Sequence, residues 1–510
     1  MTMLDNNRRI AQNTIYLYIR MIIVMFVSLY ISRKVLEILG EENYGIYNVV
    51  GSFVGMLSFL NGSMSVATQR FLTYELGKGN LLQFRKVFST SCLIHIVLAI
   101  IIFLLIESLG VWFLNEYLNI PSERLNAANW VLHASAFSMM IGIIQTPFNA
   151  AVIAHERMKI YAYVGILDVF LKLLSVFVLV CVSYDKLIIY ALLLFGNQII
   201  LFLIYRIYCL RNFKECNILY VWNGKVFRSM LGFTSWNLFG TIAWILKDQG
   251  SNILLNIFGG PAINAARGIS YQISGAVRNM VSGFQTAVNP QITKTFAAGQ
   301  KNEMYRLVFT SSKISFYLLL LVTIPILLET DFLLSLWLVE VPDYSVVFTR
   351  IILLEALIDA LGGPLITSLM ATGNIKWYQI IIGSILLLNL PVSYILLNLG
   401  FPIFTPFVVS LVLMFLALFG RLQFVYKLLF ISKLEYVIAV LLPVVGTFLL
   451  SLLPQLLIFS YIGEEFTRCI WVVIVNVCSV FVFSYCVGFN KQEKELVRNQ
   501  LVTWINTLKK

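Results

Sequence analysis

Five basic side chains, Arg20, Lys172, Lys247, Arg267 and Arg278, lie inside apolar runs about as long as a membrane-spanning helix. A charge near the middle of a bilayer costs roughly 2.5 kcal/mol on insertion scales, so such residues face a protein interior or a watery cavity. Several cations in one bundle favour an anionic ligand. Arginine suits phosphate because its planar fork matches phosphate oxygens, keeps its charge and is less strongly hydrated than an ammonium. Arg20, Arg267 and Arg278 are therefore the first candidates for anion contact, with Lys247 next. Arg278 falls near mid-span, whereas Arg267 and Arg20 fall towards opposite ends, a spread that suits a path better than one pocket. The alternative for each is an interhelical salt bridge or snorkelling to the interface.

The acidic residues in the same runs carry their own expectations. Asp168 precedes Lys172 by one helical turn on the same face, which predicts a structural ion pair. Lys247 and Asp248 are adjacent, so they diverge around their helix and need separate partners. Asp248, with Asn252 one turn on, either gates a contact between lobes or binds a coupling cation. Glu355 and Asp359 share a helix face; they either carry H+ or Na+ or bridge to a nearby arginine such as Arg350. His95 and His133 lack metal-ligand spacing and read as packing residues. The seven cysteines show no C-x-x-C spacing and read as small core hydrophobes. There is no H-E-x-x-H, no phosphate-binding glycine loop and no Ser/His/Asp grouping. The expectation is no catalytic residue, no metal and no cofactor beyond a coupling Na+ or H+.

The elements that must position these residues are long apolar helices. The chain has 510 residues, 59% hydrophobic and 12% charged, against about 25% charged in soluble domains. Continuous apolar runs exclude a β-barrel, whose strands alternate. The reading is an all-α polytopic membrane protein with about fourteen transmembrane helices, at 12–31, 45–67, 87–108, 128–153, 160–182, 187–209, 231–258, 264–290, 312–338, 347–371, 377–399, 403–430, 434–457 and 467–488. The second and eighth are rich in Gly, Ser, Asn and Gln and should face other helices or water. The first run is long enough to stay in the membrane and shows no signal-peptide cleavage pattern.

The loops alternate in charge. One set is basic, including Arg70, Lys78, Arg85, Lys86, Arg157, Lys159, Lys294, Lys301, Lys313, Arg421 and Lys433. The other is acidic, including Glu41, Glu42, Glu116, Glu123, Asp185, Glu329, Asp331 and Glu464. The positive-inside rule places the basic loops and both termini in the cytoplasm. The net charge of +12 is accounted for by these loops, which lie beside anionic lipid, and not by nucleic acid.

Two halves of the chain resemble each other at an offset of about 220 residues. TPFNAAVIAHERMKIY, Thr146 to Tyr161, matches GPLITSLMATGNIKWY, Gly363 to Tyr378, pairing Pro147 with Pro364, Ala154 with Ala371, Lys159 with Lys376 and Tyr161 with Tyr378. Repeated halves are a signature of secondary transporters, with the site at their interface. Four parts follow: an N-terminal six-helix lobe at 1–215, its repeat at 216–432, two extra helices at 433–490, and a tail at 491–510. Pro147 and Pro364, and also Pro325, Pro391 and Pro406, are expected to kink their helices. In the tail, Val497, Leu501, Trp504, Ile505 and Leu508 form one apolar face, which either lies on the membrane or packs on the bundle.

LGEENYGIYNVVGSF, Leu39 to Phe53, resembles the L-G-x-x-x-Y-G-x-Y segment of bacterial polysaccharide exporters, and GSMSVATQRFLTYELGKGN, Gly62 to Asn80, is similar to the end of their second helix and the following loop. With the 6+6+2 pattern, the whole chain resembles the Wzx-type lipid-linked oligosaccharide flippases of the multidrug/oligosaccharidyl-lipid/polysaccharide exporter (MOP) superfamily. The resemblance implies two lobes around a central cavity, alternating access, and an undecaprenyl-diphosphate oligosaccharide as substrate. That substrate would be an O-antigen (lipopolysaccharide), capsule or exopolysaccharide unit, moved from the inner to the outer leaflet of the bacterial cytoplasmic membrane. Partners would be membrane lipids and the polymerase and glycosyltransferases of the same pathway. Ala265–Ala266–Arg267 fits the Ala-x-Arg segment that opens helix eight in relatives handling the peptidoglycan precursor, and Arg20 is an unaligned counterpart of their helix-one arginines. The alternatives are a cation-coupled drug or metabolite antiporter of the same superfamily, for which an acidic cavity is expected, and a membrane-embedded glycosyltransferase or polymerase, for which the loops are short.

Overall fold

The computed structural model describes residues 3–495 and 498, apart from 117, 119, 218–222 and 339. Its described residues are helices and turns without strands. In chain order the α-helices are α1 Met3–Met56, α2 Ser58–Gly77, α3 Leu81–Leu105, α4 Val111–Glu116, α5 Leu125–Ala154, α6 Met158–Cys181, α7 Lys186–Asn212, α8 Gly224–Ala297, α9 Lys301–Leu328, α10 Thr330–Trp337, α11 Ser345–Thr372, α12 Lys376–Leu387, α13 Asn389–Asn398, α14 Thr405–Leu429, α15 Lys433–Tyr436, α16 Leu442–Tyr461 and α17 Glu465–Phe483.

Among the described residues, ten helical stretches are long and apolar enough to cross a membrane, and the bent pair Glu42–Met56 and Ser58–Gly77, counted as one span, makes an eleventh. Three further long stretches, the two arms of α8 and α11, stand at the predicted spans 231–258, 264–290 and 347–371. These three carry Lys247, Asp248, Arg267, Arg278, Arg350, Glu355 and Asp359, the residues that lower their apolar character. The all-helical, roughly fourteen-span reading therefore holds, with seven of the intramembrane charges on these three stretches.

Glycines mark the internal repeat. α1 breaks at Gly40 (φ 78°) and α8 at Gly260 (φ 75°). Gly79 (φ 70°) follows the second span and Gly299 (φ 74°) the eighth. Each pair is separated by the repeat interval of about 220 residues, at positions where a left-handed backbone excludes most side chains. The packing repeats too: α5 packs most extensively on α7 and α3, and α11 on α14 and α9. Pro147 and Pro364 stand inside α5 and α11. Pro406 does not kink a helix as expected; it sits in the first turn of α14, where its missing N–H is no loss. Pro391 lies in the first turn of α13, just after the span breaks at Leu388.

The chain forms two compact units, Ala11–Leu238 and the described part of Phe239–Lys510 with Met1–Ile10. In the first, Phe88 and Phe148 meet edge to face at 5.4 Å within a core that includes Leu72, Phe84 and Leu201. In the second, Phe348 packs on Phe407 at 4.3 Å beside Leu255 and Ile352. Large apolar side chains such as Phe26, Leu104, Val180 and Leu457 point outwards, as expected where lipid replaces water. Apolar burial drives little association in lipid, so polar contacts between helices matter more. Asn197 donates to Ser175 Oγ at 2.8 Å between α7 and α6, and Asn389 donates to Ser251 Oγ at 2.8 Å between α13 and α8.

Of the predicted tail, only its first turn is described. The apolar face Val497, Leu501, Trp504, Ile505 and Leu508 lies outside the described residues.

Candidate functional site

In the unit from Phe239 onwards, four cations and three carboxylates form a network of three separate ion-paired groups: Lys247 with Glu355, Arg267 with Asp248, and Asp359 between Arg278 and Arg421. The Lys247 ammonium donates to Glu355 Oε1 at 2.8 Å, with the two side chains only 4% and 8% exposed. The other oxygen, Oε2, accepts from Ser410 Oγ at 2.9 Å. Arg267 donates through Nη2 to Asp248 Oδ1 at 2.8 Å and to the Asp248 carbonyl at 3.0 Å, while its guanidinium lies 4.0 Å over the Tyr271 ring. Arg278 Nη1 donates to Asp359 Oδ2 at 2.6 Å and its Nε to Ser274 Oγ at 3.2 Å. Arg421 Nη1 stands 3.7 Å from Asp359 Oδ1.

The break at Gly260 explains half of this arrangement. It folds α8 back on itself, so that Arg267 on the second arm reaches Asp248 on the first. Asn264 donates to Asn252 Oδ1 at 2.7 Å across the same turn. Asp248 and Asn252, read from sequence as a gate or cation site, are thus both engaged by the opposite arm. Helical spacing explains the other half: Glu355 and Asp359 share a face of α11 and meet different cations.

In the unit Ala11–Leu238, Lys172 donates to Asp168 Oδ2 at 2.9 Å along α6. This pair opens into a cavity of about 330 Å³ whose lining includes Tyr47, Gly51, Ser138 and Gln198. Arg20 lies over the Tyr161 ring at 4.6 Å and packs on Gly165, where a Cβ would collide with its guanidinium. It has no ion pair among the described residues.

Several expectations are corrected. Arg350 bridges to Asp331 at 2.8 Å, not to Glu355 or Asp359, because it points to the end of α11 nearer α10. Lys313 and Arg421, grouped with the loop cations although they fall within the predicted spans 312–338 and 403–430, are buried inside α9 and α14. Glu329, grouped with the acidic loops, is 1% exposed and held by both Nε and Nη2 of Arg468 at 2.7 and 2.9 Å. His133 is more than a packing residue: its Nδ1 lies 2.8 Å from Glu107 Oε2. His95 is fully buried with Nδ1 on the Ser91 carbonyl. Arg421 is the network residue that sequence reasoning missed; its place inside span 403–430 was the available signal. The described cysteines are unpaired, and no cluster of His, Cys, Asp and Glu that could hold a metal occurs among the described residues.

Long apolar helices, an internal repeat and ion pairs between helices define a multi-pass membrane protein. The chain belongs to the MatE family, which matches residues 16–179 and 250–395, more than half of it, and so is a transporter of the MOP superfamily. No curated protein sequence matches it. Among solved structures it is similar to an outward-facing multidrug resistance MATE family transporter of the MOP superfamily, at TM-score 0.71 and 14% identity, covering 84% of this chain and 97% of that one. It is similar to a MATE in complex with MaD3S, at TM-score 0.70 and 13% identity, covering 82% and 96%. It also resembles a MOP superfamily transporter from Pyrococcus furiosus described as having a binding pocket of reverse polarity, at TM-score 0.69 and 14% identity, covering 84% and 97%. Likenesses at this identity show the fold.

Proposed function

We propose that this transporter moves an undecaprenyl-diphosphate-linked oligosaccharide from the inner to the outer leaflet of the bacterial cytoplasmic membrane by alternating access, with both termini cytoplasmic. The observation that carries the reading is the summed charge of these ion-paired groups. Lys247, Arg267, Arg278 and Arg421 face Asp248, Glu355 and Asp359, leaving one positive charge in excess. A site with fixed excess positive charge favours a diphosphate and disfavours a cationic drug. Arg278, half-buried and placed mid-span, and Arg20, half-buried with no ion pair among the described residues, are the proposed diphosphate contacts. Arg267 and Lys247, each held by a carboxylate, set the field around them.

The sequence segments Leu39–Phe53 and Gly62–Asn80 also support this reading. The glycosyltransferases and polymerase that make and consume such a substrate are its proposed partners. Coupling to Na+ or H+ would fall to Glu355, Asp359 or Asp248 when their cationic partners move away.

A second reading, a cation-coupled drug or metabolite antiporter, is favoured by the similarity in fold to a multidrug resistance transporter. Deletion with complementation separates the two. The flippase reading expects loss of surface glycan and accumulation of the lipid-linked intermediate. Unchanged glycan and intermediate with increased drug susceptibility would sink it in favour of the antiporter.

A further inference from the structure

Asp359 stands between two arginines that are not equivalent. Arg278 holds its Oδ2 at 2.6 Å and is 30% exposed; Arg421 is 3.7 Å from its Oδ1 and 4% exposed. The second distance is too long for a hydrogen bond. Arg421 Nε and Nη1 are buried and have no hydrogen-bond partner. A buried donor left unmet is costly, more so on a charged group. The guanidinium is nevertheless fixed in place. It lies against Gly362, where a Cβ would collide with Nη1, and beside the buried Tyr378. The other two carboxylates of the network each meet a single cation, Glu355 with Lys247 and Asp248 with Arg267. Two donors of Arg421 are therefore open to Asp359 at a short distance.

We propose that Arg421 is the reserve counter-ion of Asp359: when an anion takes the accessible Arg278, Asp359 turns to Arg421 and keeps a cationic partner. This rests on the reading of Arg278 as a diphosphate contact. Without the reserve, releasing Arg278 would leave a carboxylate unpaired inside the unit, and breaking such pairs is strongly destabilising. With it, closing the Arg421 gap to charge-assisted hydrogen-bond length takes a shift of roughly 1 Å. The exchange also moves a contact between elements. Arg278 is on α8, Asp359 on α11 and Arg421 on α14, so the anion loosens α8 from α11 and tightens α11 on α14. A ligand shifts a conformational equilibrium only through such differential contacts.

The test has a ligand-free arm and a ligand arm, both on the full chain. In the first, thermal unfolding is followed for Arg278→Gln, Arg421→Gln and the double variant. Each single variant leaves Asp359 one arginine, so the double should lose more than the sum of the singles, and Asp359→Asn added to it should restore most of that excess. Additive losses overturn the proposal. In the second, binding of undecaprenyl diphosphate is measured in nanodiscs. Arg421→Gln should weaken it roughly tenfold and have no such effect in an Asp359→Asn background. Equal weakening in both backgrounds overturns the proposal. Arg421→Lys, which keeps the charge without the fork, should weaken binding less than Arg421→Gln and serves as the second variant if the latter does not accumulate. Wild-type protein that fails to bind undecaprenyl diphosphate overturns the substrate reading, while the unfolding cycle still decides the exchange of partners.

Discussion

Lys247 and Glu355, 108 residues apart, meet at 2.8 Å in the interior of one unit, and Ser410 completes the carboxylate's second oxygen. Charge pairs this deeply buried are worth little against apolar replacements but are expensive to break on one side only. Lys247→Met or Glu355→Gln should each lower stability by about 3–5 kcal/mol. The double variant Lys247→Met with Glu355→Leu should recover most of the loss. Thermal unfolding of purified protein checks this; a double variant as unstable as the worse single would argue against a simple pair.

Arg278 should separate transport from folding. Its pair with Asp359 is partly exposed, and Asp359 retains Arg421 nearby. Arg278→Ala should therefore insert and fold while failing to restore surface glycan in a deletion strain. Arg278→Lys should restore less than wild type because an ammonium lacks the planar fork. Full complementation by Arg278→Ala would remove this residue from the substrate path.

Gly165 offers a test of Arg20 that leaves its charge intact. A Cβ at Gly165 would collide with the Arg20 guanidinium, so Gly165→Ala should displace it from the Tyr161 ring. Helix propensity favours alanine by up to ~1 kcal/mol, so the fold should tolerate the change if Arg20 can move aside. Complementation should fall towards that of Arg20→Ala. Normal transport by both variants would leave Arg20 with a packing role.

The last long helix, α17, and the segment that follows it are fastened to α9 and its C-terminal end at separated points. Arg468 grips Glu329 with two hydrogen bonds, Asn476 donates to the Leu321 carbonyl at 2.8 Å, and Lys313 meets Glu493 at 2.5 Å. Arg468→Ala or Glu493→Gln should raise amide exchange in residues 433–488 while leaving α5 and α7 protected. Uniform exchange changes across the chain would mean that the hairpin is not an individually anchored element.

The Asp168–Lys172 pair should matter less to stability. It is an i,i+4 contact with the lysine 43% exposed, of a kind worth about 0.2–0.5 kcal/mol in helices. Asp168→Asn with Lys172→Gln should leave the unfolding temperature nearly unchanged. A large drop would show that the pair holds more than its own helix.

Much of the fold was legible because lipid imposes simple rules. A helix must satisfy its own backbone and present apolar side chains outwards, so apolar runs located the spans and Pro147 with Pro364 disclosed the repeat. Gly40 and Gly260 were harder to read, since a glycine in an apolar run signals a sharp break only once its left-handed φ is seen. The charged residues within the spans were identifiable by their rarity. Their partners were legible only where they lay one turn apart, as with Asp168 and Lys172.

The sequence by itself determined the all-helical membrane class and disclosed the repeated segments and the rare charges within the spans, because hydropathy, periodicity and charge are properties of local segments. Tertiary structure decided which cations are compensated. Arg267 reaches Asp248 through the fold-back at Gly260, Lys247 finds Glu355 across helices, and Arg421 stands beside Asp359. Those pairings depend on helix packing and rotation, which bring together residues far apart in the chain, and no local spacing encodes them.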